Sequence, residues 1–254
     1  MSALSCLYLD LNSSLWLQNL LGLCAWSVLL FFLFFETRSV QAQVLVAVLF
    51  ATVGEYFSSV YMEGYAYRLS NVPAFVPPGH GLVYLTAVAL GRSDLFDRYR
   101  SSLLYFAVLS GLLWTFWGLL FAEQRDMYGA LLFIVFLLAV GFGRSTQVYL
   151  GAYFITSYLE WVGTLLGTWQ WSPIDPIFSL TQGNPPSGVA AWYCMVDAVA
   201  LTLAPRLIAL LSTLSRMSLF ARLLMLEQKL LLRISPLVYG LLRIKKLQET
   251  GKAA

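Results

Sequence analysis

The residues of this chain that could do chemistry are four ionisable side chains set among apolar neighbours: Glu55, His80, Glu160 and Asp197. The two glutamates have similar surroundings. Glu55 is followed by Tyr65 and Tyr67, then by Pro77-Pro78-Gly79-His80-Gly81, then by Ala87-Val88-Ala89-Leu90. Glu160 is followed by Trp169 and Trp171, then by Asn184-Pro185-Pro186-Ser187-Gly188, then by Ala198-Val199-Ala200-Leu201. An acid, two aromatics one residue apart, a proline pair and an apolar run therefore occur twice in the same order. A carboxyl surrounded by hydrocarbon is costly, so two acids spent in repeated settings are read as parts of one site. Such acids either exchange protons with a substrate or hold a cation.

The elements that must position them follow from composition. Hydrophobic residues make up 59% of the 254 and charged residues 11%, and the mean hydropathy is +0.73. That pattern predicts an all-α polytopic membrane protein, because a backbone in lipid must satisfy its own hydrogen bonds. Predominantly apolar segments long enough for a hydrocarbon core of about 30 Å fall near residues 14–35, 40–62, 101–121, 127–143, 146–168 and 188–211. A shorter one at 78–91, opening on the proline pair, makes seven transmembrane helices. The N-terminus lacks a basic leader region, so the first apolar run is expected to remain as a span.

Charge sets the expected orientation. Of the sixteen Lys and Arg, only Arg68 and Arg125 fall on the side of the N-terminus; Arg38, Arg92, Arg98, Arg100, Arg144 and nine from Arg206 onward fall on the other. The positive-inside rule then puts the N-terminus outside and the C-terminus in the cytoplasm, as in a bacterial inner-membrane protein. The seven-helix domain is expected over residues 1–211, with parallel repeats at 14–121 and 127–211 about an axis along the membrane normal. Residues 212–254 read as a basic amphipathic tail lying on the anionic cytoplasmic leaflet, with Arg222, Lys229 and Arg233 on one face; docking of that tail on a partner subunit is the alternative.

Within this frame Glu55 lies ten residues before Tyr65 and Glu160 nine before Trp169. The rise of a helix puts each acid about 13–15 Å below its aromatic marker. Asp197, nine residues into the last segment, is expected at the same depth, so the three carboxyls are predicted to share one pocket with at least one of them protonated. His80 is expected to trade a proton with them or to cap its helix. Aromatic and amide neighbours supply the expected substrate contacts: Tyr56, Tyr65, Tyr67, Tyr84, Tyr158, Trp161, Trp169, Trp171, Asn184, Trp192 and Tyr193. The two proline loops are expected to form equivalent lids. Cys6, Cys24 and Cys194 have no metal-ligand spacing, and one histidine cannot build a histidine-rich di-iron centre, so no metal or cofactor is expected. Phosphate-binding glycine loops, a Ser-His-Asp arrangement and nucleic-acid patches are absent from the sequence.

Seven spans with buried Glu55, Glu160 and Asp197 as the available chemistry resemble the integral-membrane terpene cyclases. The acid, aromatic-x-aromatic and proline-rich loop pattern is similar to that of the membrane proteins of the carotenoid hydratase and heterodimeric lycopene cyclase type. The resemblance implies an enzyme that initiates cyclisation or hydration of an isoprenoid by protonating a double bond, without a cofactor. Two other classes fit the same residues. A small transporter or channel could carry a proton or cation between the paired acids, and a structural or assembly subunit would bury them against partners.

Overall fold

The computed structural model of the protein describes residues 3–214. Their elements in chain order are α1 (Ala3–Asp10), α2 (Leu15–Phe34), α3 (Arg38–Glu55), a π-helical turn (Tyr56–Tyr61), β1 (Tyr65–Tyr67), α4 (Val76–Gly91), α5 (Asp94–Arg98), α6 (Arg100–Leu120), α7 (Met127–Phe142), α8 (Thr146–Leu165), β2 (Trp169–Trp171) and α9 (Ala191–Leu214). Short polar residues start several of the helices: Ser14, Thr37, Ser93 and Asp126 each accept a hydrogen bond from a backbone N–H of the first turn. Residues 1–205 form one compact unit that contains every candidate site residue. The basic tail expected from residue 212 lies outside the described residues, except where 212–214 end α9.

Each of the seven expected apolar segments contains a helix, but four helical stretches are long and apolar enough to cross a membrane: Leu15–Phe34, Arg38–Tyr61, Arg100–Leu120 and Ala191–Leu214. The other three fall short for identifiable reasons. α4 and α7 have 16 residues each, below the roughly 20 needed to cross a hydrocarbon core. α8 has 20 but spends Gln147, Thr156, Ser157 and Glu160 on polar groups. Outward-facing side chains are strongly apolar, with Phe34, Tyr105, Leu113 and Phe142 all more than 60% exposed. Such a surface is compatible with a membrane protein. The all-helical expectation is corrected in one place. Between α3 and α4, and again between α8 and α9, three residues leave the helical path and pair as an antiparallel two-stranded ribbon.

α4 is the element around which the others pack, touching α2, α3 and α8. Small residues make this possible. A methyl at Gly81 would lie 2.7 Å from Leu29 of α2 and from Val48 of α3, and Gly151 of α8 runs against the backbone of Ala87; close backbone approach of this kind is what tight helix pairs in apolar surroundings use. The proline pair Pro77-Pro78 is not a lid. It forms the first turn of α4, where the missing N–H groups have no intrahelical partner to lose.

The second proline loop is not a lid either, and the reason is a buried acid that the sequence reading passed over. Asp126, 2% exposed, starts α7 and accepts three backbone N–H bonds: Gly129 at 2.9 Å and Gly183 at 2.7 Å on Oδ1, Ser187 at 2.7 Å on Oδ2. It staples residues 183–187 onto α7, and Gly188 then packs against the α7 backbone so tightly that an added Cβ would land on the Phe133 nitrogen. Replacing Asp126 by Ala leaves buried N–H groups unpaired, at about 1–3 kcal/mol for each, and Gly188→Ala forces the loop off the helix. Both variants are expected to lower the unfolding temperature of the detergent-solubilised protein strongly, whereas Gly141→Ala, at a glycine with open space around it, should leave it within about 1 kcal/mol of the parent.

Candidate functional site

The ribbon pairs Tyr65 with Trp171, Ala66 with Gln170 and Tyr67 with Trp169. Side chains alternate across a strand, so the four aromatics share one face and the exposed Ala66 and Gln170 the other. The ladder is continued by Arg68 N–H to the Thr168 carbonyl and Ser172 N–H to the Gly64 carbonyl, both 3.0 Å. Asn184 takes the outward N–H of Trp171 at 3.0 Å, so it positions β2 and does not face a ligand.

Each strand clamps the acid that precedes it. Tyr65 and Tyr67 donate their hydroxyls to Glu55 Oε1 at 2.5 and 2.6 Å. Trp169 and Trp171 donate their indole N–H groups to Glu160 Oε2 at 2.9 and 3.0 Å. Period-2 spacing sends both rings of a strand back to the same carboxylate, which a helical spacing of two residues could not do. Space for one indole is made by Gly163, whose Cβ would overlap the Trp169 ring. Burial, followed by the adjacent Glu55 carboxylate, pushes the Tyr65 and Tyr67 hydroxyls well above the usual phenol range, so they stay donors. The π-helical turn after Glu55 bends the chain toward β1, and the Ser59 hydroxyl donates to the Glu55 carbonyl at 2.8 Å.

His80, one turn into α4, bridges the two halves of the chain. Its Nε2 lies 3.0 Å from Glu55 Oε2 and its Nδ1 2.8 Å from the Tyr193 hydroxyl of α9. In the neutral ring Nε2–H donates to Glu55 while Tyr193 donates to Nδ1; a proton gained at Nδ1 turns both nitrogens into donors. Glu55 thus has both oxygens engaged. Glu160 has Oε2 engaged, and among the described residues no group donates to its Oε1.

These groups line a cavity of about 630 Å³, within the roughly 300–1,000 Å³ of small-molecule sites. The ribbon aromatics, Glu55, His80, Glu160, Trp192 and Tyr193 stand at one end of it; Ala25, Val28 and Phe32 of α2 with Leu82 and Thr86 of α4 line an apolar extension. Gln182 and Thr156, neither foreseen, also line it. Both are buried, and each holds an oxygen without a protein hydrogen bond. Thr156 could have been found from sequence, since it lies one helical turn before Glu160 on the same face.

Besides Asn184, five expected site residues stand outside the cavity wall. Asp197, 1% exposed, accepts the Tyr84 hydroxyl at 2.8 Å, with Ser145 and Tyr149 of the α7–α8 corner also against it. Tyr84 and Asp197 follow His80 and Tyr193 by four residues each, so they form the next rung between α4 and α9, below the cavity and not in its wall. Of the three expected acids, Glu55 and Glu160 share the cavity and Asp197 does not; Asp175, not foreseen, lines it as well. Tyr56, Tyr158 and Trp161 are about half exposed on outer faces, because residues one or two positions from an acid on a helix cannot face the same way.

Family models, characterised proteins and solved structures give no match to this chain.

Two outcomes test the clamp. Tyr65→Phe and Tyr67→Phe each remove a hydrogen bond to a charged acceptor, worth about 1.5–3 kcal/mol; because both serve Oε1, the double variant is expected to cost measurably more or less than the sum in thermal unfolding. Gly163→Ala should favour α8 by up to about 1 kcal/mol on helix propensity alone, so a net loss of stability, with altered tryptophan fluorescence, is the signature of an indole displaced from Glu160.

Proposed function

We propose that the chain is an integral-membrane enzyme that initiates a reaction of an isoprenoid, or of another unsaturated lipid, by protonating a double bond. The observation that carries this reading is the pairing of two differently clamped acids in one apolar cavity. Glu160 keeps one oxygen open to that cavity, whereas Glu55 is committed to two tyrosines and to the histidine. Glu160 is the candidate acid. Its proton passes to one alkene carbon and a cation develops at the other, facing the ribbon aromatics, whose rings favour positive charge. The cation then either loses a proton from a neighbouring carbon or takes up water that sheds one. His80 is the candidate acceptor, with Glu55 stabilising the imidazolium and Tyr193 fixing the ring.

Seven spans, with the N-terminus outside and the C-terminus in the cytoplasm, remain our reading of the topology; the asymmetry of Lys and Arg supports it. On this reading the ribbon lies at the extracytoplasmic end. The ribbon register also supports an internal duplication. A two-fold axis through the Ala66 and Gln170 pair, normal to the ribbon, exchanges Tyr65 with Trp169 and Tyr67 with Trp171. α3 and α8 both lead into their strands, as a parallel repeat requires. The relation is broken by His80, for which the second copy has no equivalent.

The purified protein, supplied with polyprenyl substrates in D2O, should place one solvent deuteron on carbon per product molecule, read by mass spectrometry. Glu160→Gln is expected to reduce the rate by at least about 100-fold, and His80→Ala and Glu55→Gln by about 100-fold, the usual contribution of a positioned acid or base. If no polyprenyl lipid acquires deuterium and the protein purifies with bulk phospholipid alone, the enzyme reading is wrong.

A further inference from the structure

Charge in the cavity is unbalanced. Glu55, Glu160 and Asp175 all line it, and among the described residues of its wall none is Lys or Arg. The nearby cation of the β1–α4 connection is already spent. Arg68 directs its guanidinium to the Ser13 carbonyl and hydroxyl at 2.8 Å and to Asp10 at 3.6 Å. The acids differ in what they leave free. Asp175 turns Oδ2 to the backbone N–H groups of Ile177 and Phe178. Both Glu55 oxygens are taken by Tyr65, Tyr67 and His80. Among the described residues no group donates to Asp175 Oδ1 or to Glu160 Oε1, and of these two acids Glu160 is the one bonded to the ribbon aromatics. Its carboxylate is held by Trp169 and Trp171, and the Trp171 ring packs on Tyr65 with centroids 4.6 Å apart.

From these observations we infer that the cavity binds lipophilic amines, with the protonated nitrogen donating to Glu160 Oε1 among the ribbon aromatics and the hydrocarbon body lying along the α2–α4 extension. The inference deepens the proposed function by naming a ligand class for the same cavity, yet binding needs no turnover. A free-base amine takes the proton that Glu160 would give to the alkene, which leaves a carboxylate paired with an ammonium in an apolar wall that holds no Lys or Arg, and aromatic rings around the ammonium add to that attraction. The apolar extension supplies the remaining contact, so neither charge alone nor chain alone suffices. A bound ammonium also resembles, in charge and place, the cation postulated for the reaction, and resemblance to a high-energy state favours tight binding.

The experiment compares two probes of one chain length, N,N-dimethylhexadecylamine and hexadecanol, titrated into the full-length protein in a neutral detergent and read by quenching of tryptophan fluorescence. The parent protein should bind the amine at least about tenfold more tightly than the alcohol, as one buried ion pair allows. Glu160→Gln should bring the amine to the alcohol's affinity, with helical circular dichroism equal to the parent's showing that the variant is folded. Equal affinity of the parent for both probes would overturn the inference, as would an amine preference that survives in Glu160→Gln, the mark of partition into micelles. Amine binding without deuterium transfer would leave this inference standing and remove the enzymatic reading; transfer without amine preference would do the opposite.

Discussion

A carboxylate placed among hydrocarbon has to be given donors, and this requirement shapes the site more than any other. A helix cannot meet it from its own backbone, because its N–H groups are already used along the axis. The chain leaves the helical path after Glu55 and after Glu160, and a three-residue strand returns two side-chain donors to each acid. A single strand of that length would expose its own unpaired N–H and C=O groups. Pairing β1 with β2 removes much of that cost, and the pairing brings Glu55 and Glu160, more than a hundred residues apart in sequence, to one cavity. The ribbon, the convergence of α3 and α8 and the aromatic wall all follow from hydrogen-bonding two buried carboxylates.

The same economy governs the acids outside the cavity. Asp10 gathers Ser13 at 2.6 Å and Gln18 at 2.8 Å, and Arg68 joins it from the β1–α4 connection. Asp126 collects three N–H groups and fixes the second proline loop, and Asp175 turns the chain between β2 and α9. These three tie connections to helices. Their donors come from the backbone and side chains of the connections they fix, whereas those of Glu160 come from the ribbon aromatics.

How much of this was legible in the sequence depended on the range of the interaction. The helices were legible, because apolar runs such as 101–121 and 127–143 declare themselves locally, and they agree within a few residues with α6 and α7. Glu55 and Glu160 stood out because each precedes a pair of aromatics and a proline pair in the same order, and His80 because it is the single histidine and sits beside one of those proline pairs. The strands were not recognised: Tyr-x-Tyr and Trp-x-Trp carry the period of two, but three residues are too few to outweigh the helical context. Asp197 was misassigned for a related reason. Counting residues from the start of a span gives depth but not facing, and one turn along α9 separates the Tyr193 rung from the Asp197 rung. Asp126 was overlooked although its place before Met127 has the form of a helix cap, because the search favoured acids inside apolar runs.

The positions of the donors along the chain bear on how such a molecule can be made. Tyr65 and Tyr67 follow Glu55 by ten and twelve residues, and Trp169 and Trp171 follow Glu160 by nine and eleven. Each acid is therefore followed closely by its own hydrogen-bond donors as the chain leaves the ribosome. The long-range contacts can wait: β2 emerges a hundred residues after β1, and the Tyr193 partner of His80 later still. During biosynthesis the first half can shield its carboxylate early, and α9, the last of the described helices to be made, completes the hydrogen bonding of the histidine.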